Sequence, residues 1–237
     1  MTGAHGNRPG VTIETLVAKY PRLYHMAAID SWDSIKKHGL LSTSRLLDLF
    51  EIPANERKQI EGERRPHSVP IEHKKYGRVV IRDQKPLSEA KLKKCLHGYG
   101  VERWFRLLNA NVFFWLDLER LKTMMSAREY RGKVQTILTV DAEPLIRKYE
   151  SKIRLSPLNT GSTSPFAHPR GADTFKTLAE YPFVERMNRG DYGCVAELTV
   201  EGGVPDIARY TQRAAHGRIV GKQLRITEIL YQANPAV

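Results

Sequence analysis

The chain has almost no cysteine: Cys95 and Cys194 are the two in 237 residues, and neither has a Cys or His at metal-ligand spacing beside it. A disulfide framework and a zinc knuckle are excluded as readings, and both thiols are expected to be reduced and structural. No stretch approaches the roughly 18 consecutive apolar residues that a membrane-spanning helix needs. The segment Met1 to Gly10 lacks the apolar run of a secretory signal. A cytoplasmic protein with no membrane contact is the expectation. Acidic residues are also scarce, 26 Asp+Glu against 38 Lys+Arg, so the formal balance is 38 − 26 = +12. Such an excess attracts phosphates and favours a polyanionic partner, nucleic acid foremost, although basic enzymes that bind no nucleic acid carry similar charge.

The common chemistry-bearing motifs are missing too. Gly221-Lys222 has the Gly-Lys pair of a phosphate-cradling loop, but His216 stands where its first glycine belongs and Gln223 where it needs Ser or Thr. Gly161-Ser162-Thr163-Ser164-Pro165 lacks the second glycine of a nucleophile elbow. There is no His-Glu-x-x-His, and no Gly-x-Gly-x-x-Gly turn follows a strand, which removes the usual Rossmann route to NAD.

What is present reads as a globular chain, 41% hydrophobic and 27% charged, of one large domain or one domain with an insertion. After a frayed start at 1–10, a short amphipathic helix is expected over Ile13–Tyr20, stopped by Pro21. A strand at Leu23–Ala27 and a helix from Asp30 to Gly39 follow, the helix capped by Asp30 or Ser31 and ended by Gly39. Residues 54–106 hold 14 Lys/Arg against 7 Asp/Glu and are punctuated by Pro66, Pro70, Gly77 and Pro86. They read as a basic, mainly helical insertion or lid, with a weak strand at Arg78–Arg82 and helices near Leu87–Leu96 and Val101–Leu108. Strands are expected at Asn111–Trp115, Val134–Val140, Cys194–Val200 and Leu224–Tyr231, with a helix at about Leu118–Arg128. Asn159–Ala172 is a Ser/Thr/Pro/Gly loop of a size usually kept for binding or catalysis.

Two strands break their own pattern. His25 lies in Leu23-Tyr24-His25-Met26-Ala27, and Glu197 interrupts the apolar run Cys194–Val200. Polar groups in strands otherwise fit for a core tend to mark functional sites. With Trp32, Ile35 and Gly39-Leu40-Leu41-Ser42, the first strand resembles the opening of the DNA-targeting ADP-ribosyltransferase toxins. Ala196-Glu197-Leu198-Thr199-Val200 with Val204-Pro205 resembles their catalytic-glutamate strand, and Arg170-Gly171-x-x-Thr174-Phe175 is shared with a group of uncharacterised bacterial proteins. The resemblance covers Arg22–Leu47 and Val112–Asp206. Ala27 replaces the Thr common in the toxins, and Arg45 is the nearest positional match to the arginine they use beside their glutamate.

The resemblance implies an α/β (α+β) fold of the ADP-ribosyltransferase type: a split β core of two roughly perpendicular small sheets with flanking helices, holding NAD as substrate and no metal. It implies transfer of ADP-ribose to a macromolecule, with Glu197 as the catalytic carboxylate and His25 placing the ribose. Such a transfer breaks an N-glycosidic bond through a cationic sugar, which a carboxylate stabilises. Tyr24, Met26, Ala27, Ser42, Phe114, Trp115 and Arg170 complete the expected NAD site, with Phe113 as a further stacking candidate. Nucleic acid is the expected acceptor, with a role in bacterial conflict or phage defence and an antitoxin or inhibitor protein as a further partner. Other readings stay open. Glu197 can point outward beside Thr199 and Glu201, His25 can be a satisfied core histidine, and the Phe113–Trp115 aromatics can be core. Arg170 can be solvated instead of clamping a phosphate, and Lys91–Lys94 can be a wet helix face. The alternative functions are an inactive nucleic-acid-binding module of the same fold, an RNA 2′-phosphotransferase, or an NAD glycohydrolase.

Overall fold

The computed structural model describes residues 10–189 and 194–234. The frayed start expected at 1–10 therefore lies, apart from Gly10, outside the described residues. Helix α1 (Ile13–Lys19) begins where the Thr12 hydroxyl accepts from the Thr15 N–H at 3.2 Å, and it ends ahead of Pro21. Strand β1 (Arg22–Ala27) leads to α2 (Trp32–His38), which Gly39 stops at φ 91°. A Cβ on Gly39 would lie 2.5 Å from the Cα of Pro205, so glycine is required twice over, by its conformation and by the close approach. Strand β2 (Leu40–Leu41) follows, then α3 (Thr43–Leu49), a helix not expected from the sequence.

The basic segment is not mainly helical. It holds α4 (Ala54–Gly62), the hairpin β3 (Val69–His73) and β4 (Gly77–Ile81), then α5 (Glu89–Cys95), β5 (Leu96–His97) and α6 (Val101–Asn109). Pro66 and Pro70, read as punctuation, precede and enter a two-stranded ribbon where no interior ladder is interrupted. Two small cores anchor the segment. One gathers Leu92, Trp104 and Phe105. The other joins Ile60, Ile71 and Ile81 to Leu47 and Phe50 of the α3 region. Side chains as fully buried as Leu92 and Phe105 stabilise by about 1.5–3 kcal/mol each.

The remaining elements are β6 (Asn111–Trp115), α7 (Leu118–Ser126), β7 (Gln135–Asp141), α8 (Ala142–Tyr149), β8 (Ile153–Ser156), β9 (Arg170–Gly171), α9 (Phe183–Asn188), β10 (Glu197–Glu201), β11 (Gly203–Val204), β12 (Thr211–Val220) and β13 (Gln223–Gln232). Six of these strands join β1 in an antiparallel sheet in the order β13-β12-β7-β1-β6-β10-β8. Its ladder is pinched in the middle: β1 meets β7 at six register positions but meets β6 at one, Tyr24 with Trp115. The core is thus split into a four-stranded and a three-stranded half, with smaller two-stranded sheets and helices around them, in a mixed α/β fold. One sheet face packs Leu23, Phe114 and Leu198 with residues of α1, α2 and α8. The other packs Met26, Trp115 and Ile137 against Leu121 and Met125 of α7. Among the described residues no helix is long and apolar enough to cross a membrane.

Candidate active site

Beyond the Tyr24–Trp115 pair the central strands part. His25, Met26 and Ala27 form one lip, Asn111, Val112 and Phe113 the other, and between them opens a cavity of about 660 Å³. That volume lies in the range of small-molecule and cofactor sites. Its walls include His25, Ser42 and Glu197. Tyr24, Trp115 and Glu197 sit in one register row across β1, β6 and β10. The row spans two strand spacings, about 10 Å.

His25 holds the opening in place. Its Nδ1 lies 2.8 Å from the carbonyl of Phe113, so an imidazole takes a position where a continuous ladder would place a backbone donor. Burial brings its pKa down to about 4, with the nearby Arg82 charge acting the same way. The ring is therefore neutral at pH 7. Nδ1 carries the proton that the Phe113 carbonyl accepts, and Nε2 is left as an acceptor at the cavity wall.

Glu197 is 3% exposed, and its Oε2 accepts from the backbone N–H of Thr160 at 3.0 Å and from the Thr160 hydroxyl at 2.7 Å. Burial raises its pKa to about 7, against the lowering effect of Thr160, Arg120 and Arg170. A carboxyl poised near neutrality can hold or release a proton at physiological pH. The outward-facing reading of Glu197 is overturned: Thr199 on the same face is fully buried, and only Glu201 reaches solvent.

The basic segment supplies a wall that nothing in the sequence announced. Arg82, just after β4, donates from Nη1 to the carbonyl of Met26 at 3.1 Å and lies 4.9 Å from the centre of the Tyr130 ring. Among the described residues it forms no ion pair, although burial makes its charge expensive to hold. Met26 is buried, and it lies on the wall of the smaller cavity. A second, larger cavity of about 1730 Å³ adjoins the first, sharing Trp115, Asn159 and Met124 with it. Lys58, Lys85, Lys91, Lys93 and Arg128 line it, and so does the 73% exposed ring of Phe166. The exposed Lys91–Lys94 face of α5 thus borders this cavity with two of its lysines.

Of the expected site residues, His25, Met26, Ala27, Ser42, Trp115 and Glu197 converge on the smaller cavity. Ser42 is buried, and its hydroxyl caps α3 by accepting from the Arg45 N–H at 3.3 Å. Four expectations are corrected. Phe114 is fully buried in the main core, where its ring lies tilted against His25 with centroids 5.8 Å apart, and it does not line the cavity. Tyr24 packs on the α7 side of the sheet. Arg45 is exposed on α3 and lines neither cavity. Arg170 is no phosphate clamp: its Nη1 and Nε donate to the carbonyls of Thr160, Ser162 and His168. Phe113 contributes its carbonyl, while its ring packs on Phe175. Both cysteines are buried thiols outside any disulfide, as expected. Among the described residues no cluster of three His, Cys, Asp or Glu side chains is placed to hold a metal.

The chain belongs to DUF7002, a family of unknown function, which matches residues 21–211. That span runs from the strand of His25 through the basic segment and Glu197 to the first residue of β12. No curated protein matches the chain.

Proposed function

We propose that this chain transfers ADP-ribose from NAD to a macromolecular acceptor, nucleic acid foremost, with NAD in the cavity between His25 and Glu197. The observation that carries the reading is the convergence of these two side chains, far apart in sequence, on one opening of dinucleotide size where the sheet splits. His25 Nε2 accepts from a ribose hydroxyl, and the backbone of Met26 on the cavity wall faces the nicotinamide amide. Arg82, a half-buried cation without a carboxylate partner among the described residues, meets the diphosphate. As the C–N glycosidic bond breaks, nicotinamide leaves with the bonding pair and the Glu197 carboxylate stabilises the cationic sugar. The acceptor atom bonds to the anomeric carbon, and its proton passes to Glu197, whose pKa of about 7 suits that exchange. The acceptor approaches through the adjoining basic cavity. At about 1730 Å³ that cavity has room for a few unpaired nucleotides and exposes Phe166 as a ring on which a base can stack.

The test is incubation of wild type and Glu197→Ala with labelled NAD and separate DNA, RNA and protein pools. Label entering one pool, with nicotinamide released, and both lost in Glu197→Ala, supports the transferase and identifies the acceptor class. Nicotinamide release without transfer supports NAD hydrolysis. No turnover in any pool, with salt-dependent nucleic-acid binding retained, overturns the reading in favour of a binding module.

A further inference from the structure

We infer that Arg170 is a positioning residue for Glu197 and acts on it through Thr160; the inference rests on Glu197 as the reacting carboxylate. Arg170 is 3% exposed and forms no ion pair among the described residues. Its guanidinium instead gathers three carbonyls of the preceding loop: Thr160 at 3.1 Å and Ser162 at 2.9 Å from Nη1, and His168 at 3.1 Å from Nε. Thr160 is thereby gripped from both sides. Its carbonyl is drawn to Arg170, while its N–H and hydroxyl converge on Oε2 of Glu197 at 3.0 and 2.7 Å.

The grip has a rigid base. Gly171, the next residue, pairs with His97 in the parallel β5–β9 ladder, and a Cβ there would sit 2.2 Å from the His97 carbonyl oxygen. The Gly171 N–H donates to the Thr174 hydroxyl at 2.7 Å. The loop is tied once more at Thr163, whose N–H donates to the Pro86 carbonyl at 3.1 Å and whose hydroxyl accepts from the Ser88 N–H at 2.8 Å. An apolar side chain would fill the Arg170 site at lower desolvation cost, but it could not draw three carbonyls to one point. The positive charge also sits where it favours the ionised form of Glu197. Geometry and charge act in the same direction: the carboxylate is held at one orientation and kept ionisable.

The experiment uses the full chain with ¹³C-carboxyl-labelled glutamate, the Glu197 resonance being identified by its absence in Glu197→Gln. Titration midpoint and NAD turnover are compared for wild type, Arg170→Met, Thr160→Val and Thr160→Ser. Arg170→Met and Thr160→Val are expected to move the midpoint upward and to lower kcat roughly 10- to 100-fold, with KM for NAD held within about twofold. Thr160→Ser, which keeps both donors, is expected to restore both. A folded Arg170→Met protein with the wild-type midpoint overturns the inference, even where its kcat falls. If Arg170→Met does not fold, an unchanged midpoint in Thr160→Val overturns it instead. Should the wild type fail to turn over NAD, the proposed reaction falls, while the midpoints still decide whether Arg170 and Thr160 set the state of Glu197.

Discussion

Replacing Glu197 by Gln should stabilise this protein, and the gain should appear only as the pH rises. In the folded chain burial holds the carboxyl near a pKa of about 7, against an ordinary value of 4.5. Below 4.5 the group is protonated in both folded and unfolded states and makes no difference. Between 4.5 and 7 the unfolded chain releases the proton while the folded chain retains it, so wild type loses stability, and above 7 the loss is constant. The difference, 7 − 4.5 = 2.5, corresponds to about 3 kcal/mol at about 1.4 kcal/mol for each pKa unit. Gln cannot ionise, and its carbonyl oxygen can still accept from both Thr160 donors. The loss of the carboxylate charge beside Arg120 and Arg170 acts at every pH where both are ionised, and the neutral amide adds no pH dependence of its own. Urea unfolding of both proteins at pH 4.5 and pH 8.5 therefore should show the difference moving toward the variant by about 3 kcal/mol, or about 6–12 °C in Tm. A difference that stays flat across this range would mean that Glu197 ionises like an exposed carboxylate, and the argument from its burial would fail.

Four further outcomes follow from the same structure. His25 has a pKa depressed to about 4, so the stability it contributes is present above 6.5 and lost as pH falls through that interval. Thermal scans should show wild type losing stability on acidification more steeply than His25→Gln, and parallel curves would refute the neutral ring. Arg82→Met should weaken NAD binding by roughly 10- to 100-fold, the range for a hydrogen bond to a charged group; isothermal titration calorimetry reads it, and an unchanged Kd would remove Arg82 from the ligand. Gly171→Ala should cost about 1–3 kcal/mol, because its Cβ would overlap the His97 carbonyl. Gly100→Ala, with open space around the new carbon, is the control, and equal urea midpoints for the two variants would contradict the packing. Lys58, Lys91 and Lys93 together changed to Glu should weaken single-stranded oligonucleotide binding and flatten its salt dependence, by roughly 0.7 in log–log slope for each phosphate that is no longer neutralised. An unaltered slope would move the interface elsewhere on the surface.

Elements with one dominant signal were legible in the sequence. Strands β1, β6, β7 and β10 carry apolar or β-branched runs, and α1 and α2 carry their stops, Pro21 and Gly39. Strand β12 was missed because its register slips at Ala214/Ala215 and at His216/Gly217, so its apolar residues never alternate cleanly. Helix α8 was hidden by Pro144, which reads as a breaker but occupies the first turn, where its missing N–H has no partner to lose. Period two would have separated Phe114 from Trp115: Val112 and Phe114 share the main core face, while Phe113 and Trp115 share the other. Of Phe114 and Trp115, only Trp115 lines the cavity.

The site itself was legible only in part, and the limit is physical. His25 and Glu197 stood out because each is a polar residue in an apolar strand, a conflict visible within a few positions. Arg82 is one of 14 cations in its segment, and nothing beside it marks the Met26 carbonyl, 56 positions away, as its partner. The parting of β1 and β6 was invisible for the same reason. Each strand alone has the sequence of a full ladder member, and the contacts at the opening are long-range, His25 to the Phe113 carbonyl and Arg82 to the Met26 carbonyl. These hydrogen bonds satisfy one backbone acceptor on each lip. Two of the side chains proposed to meet NAD, His25 and Arg82, are therefore also bonded to the walls of its cavity.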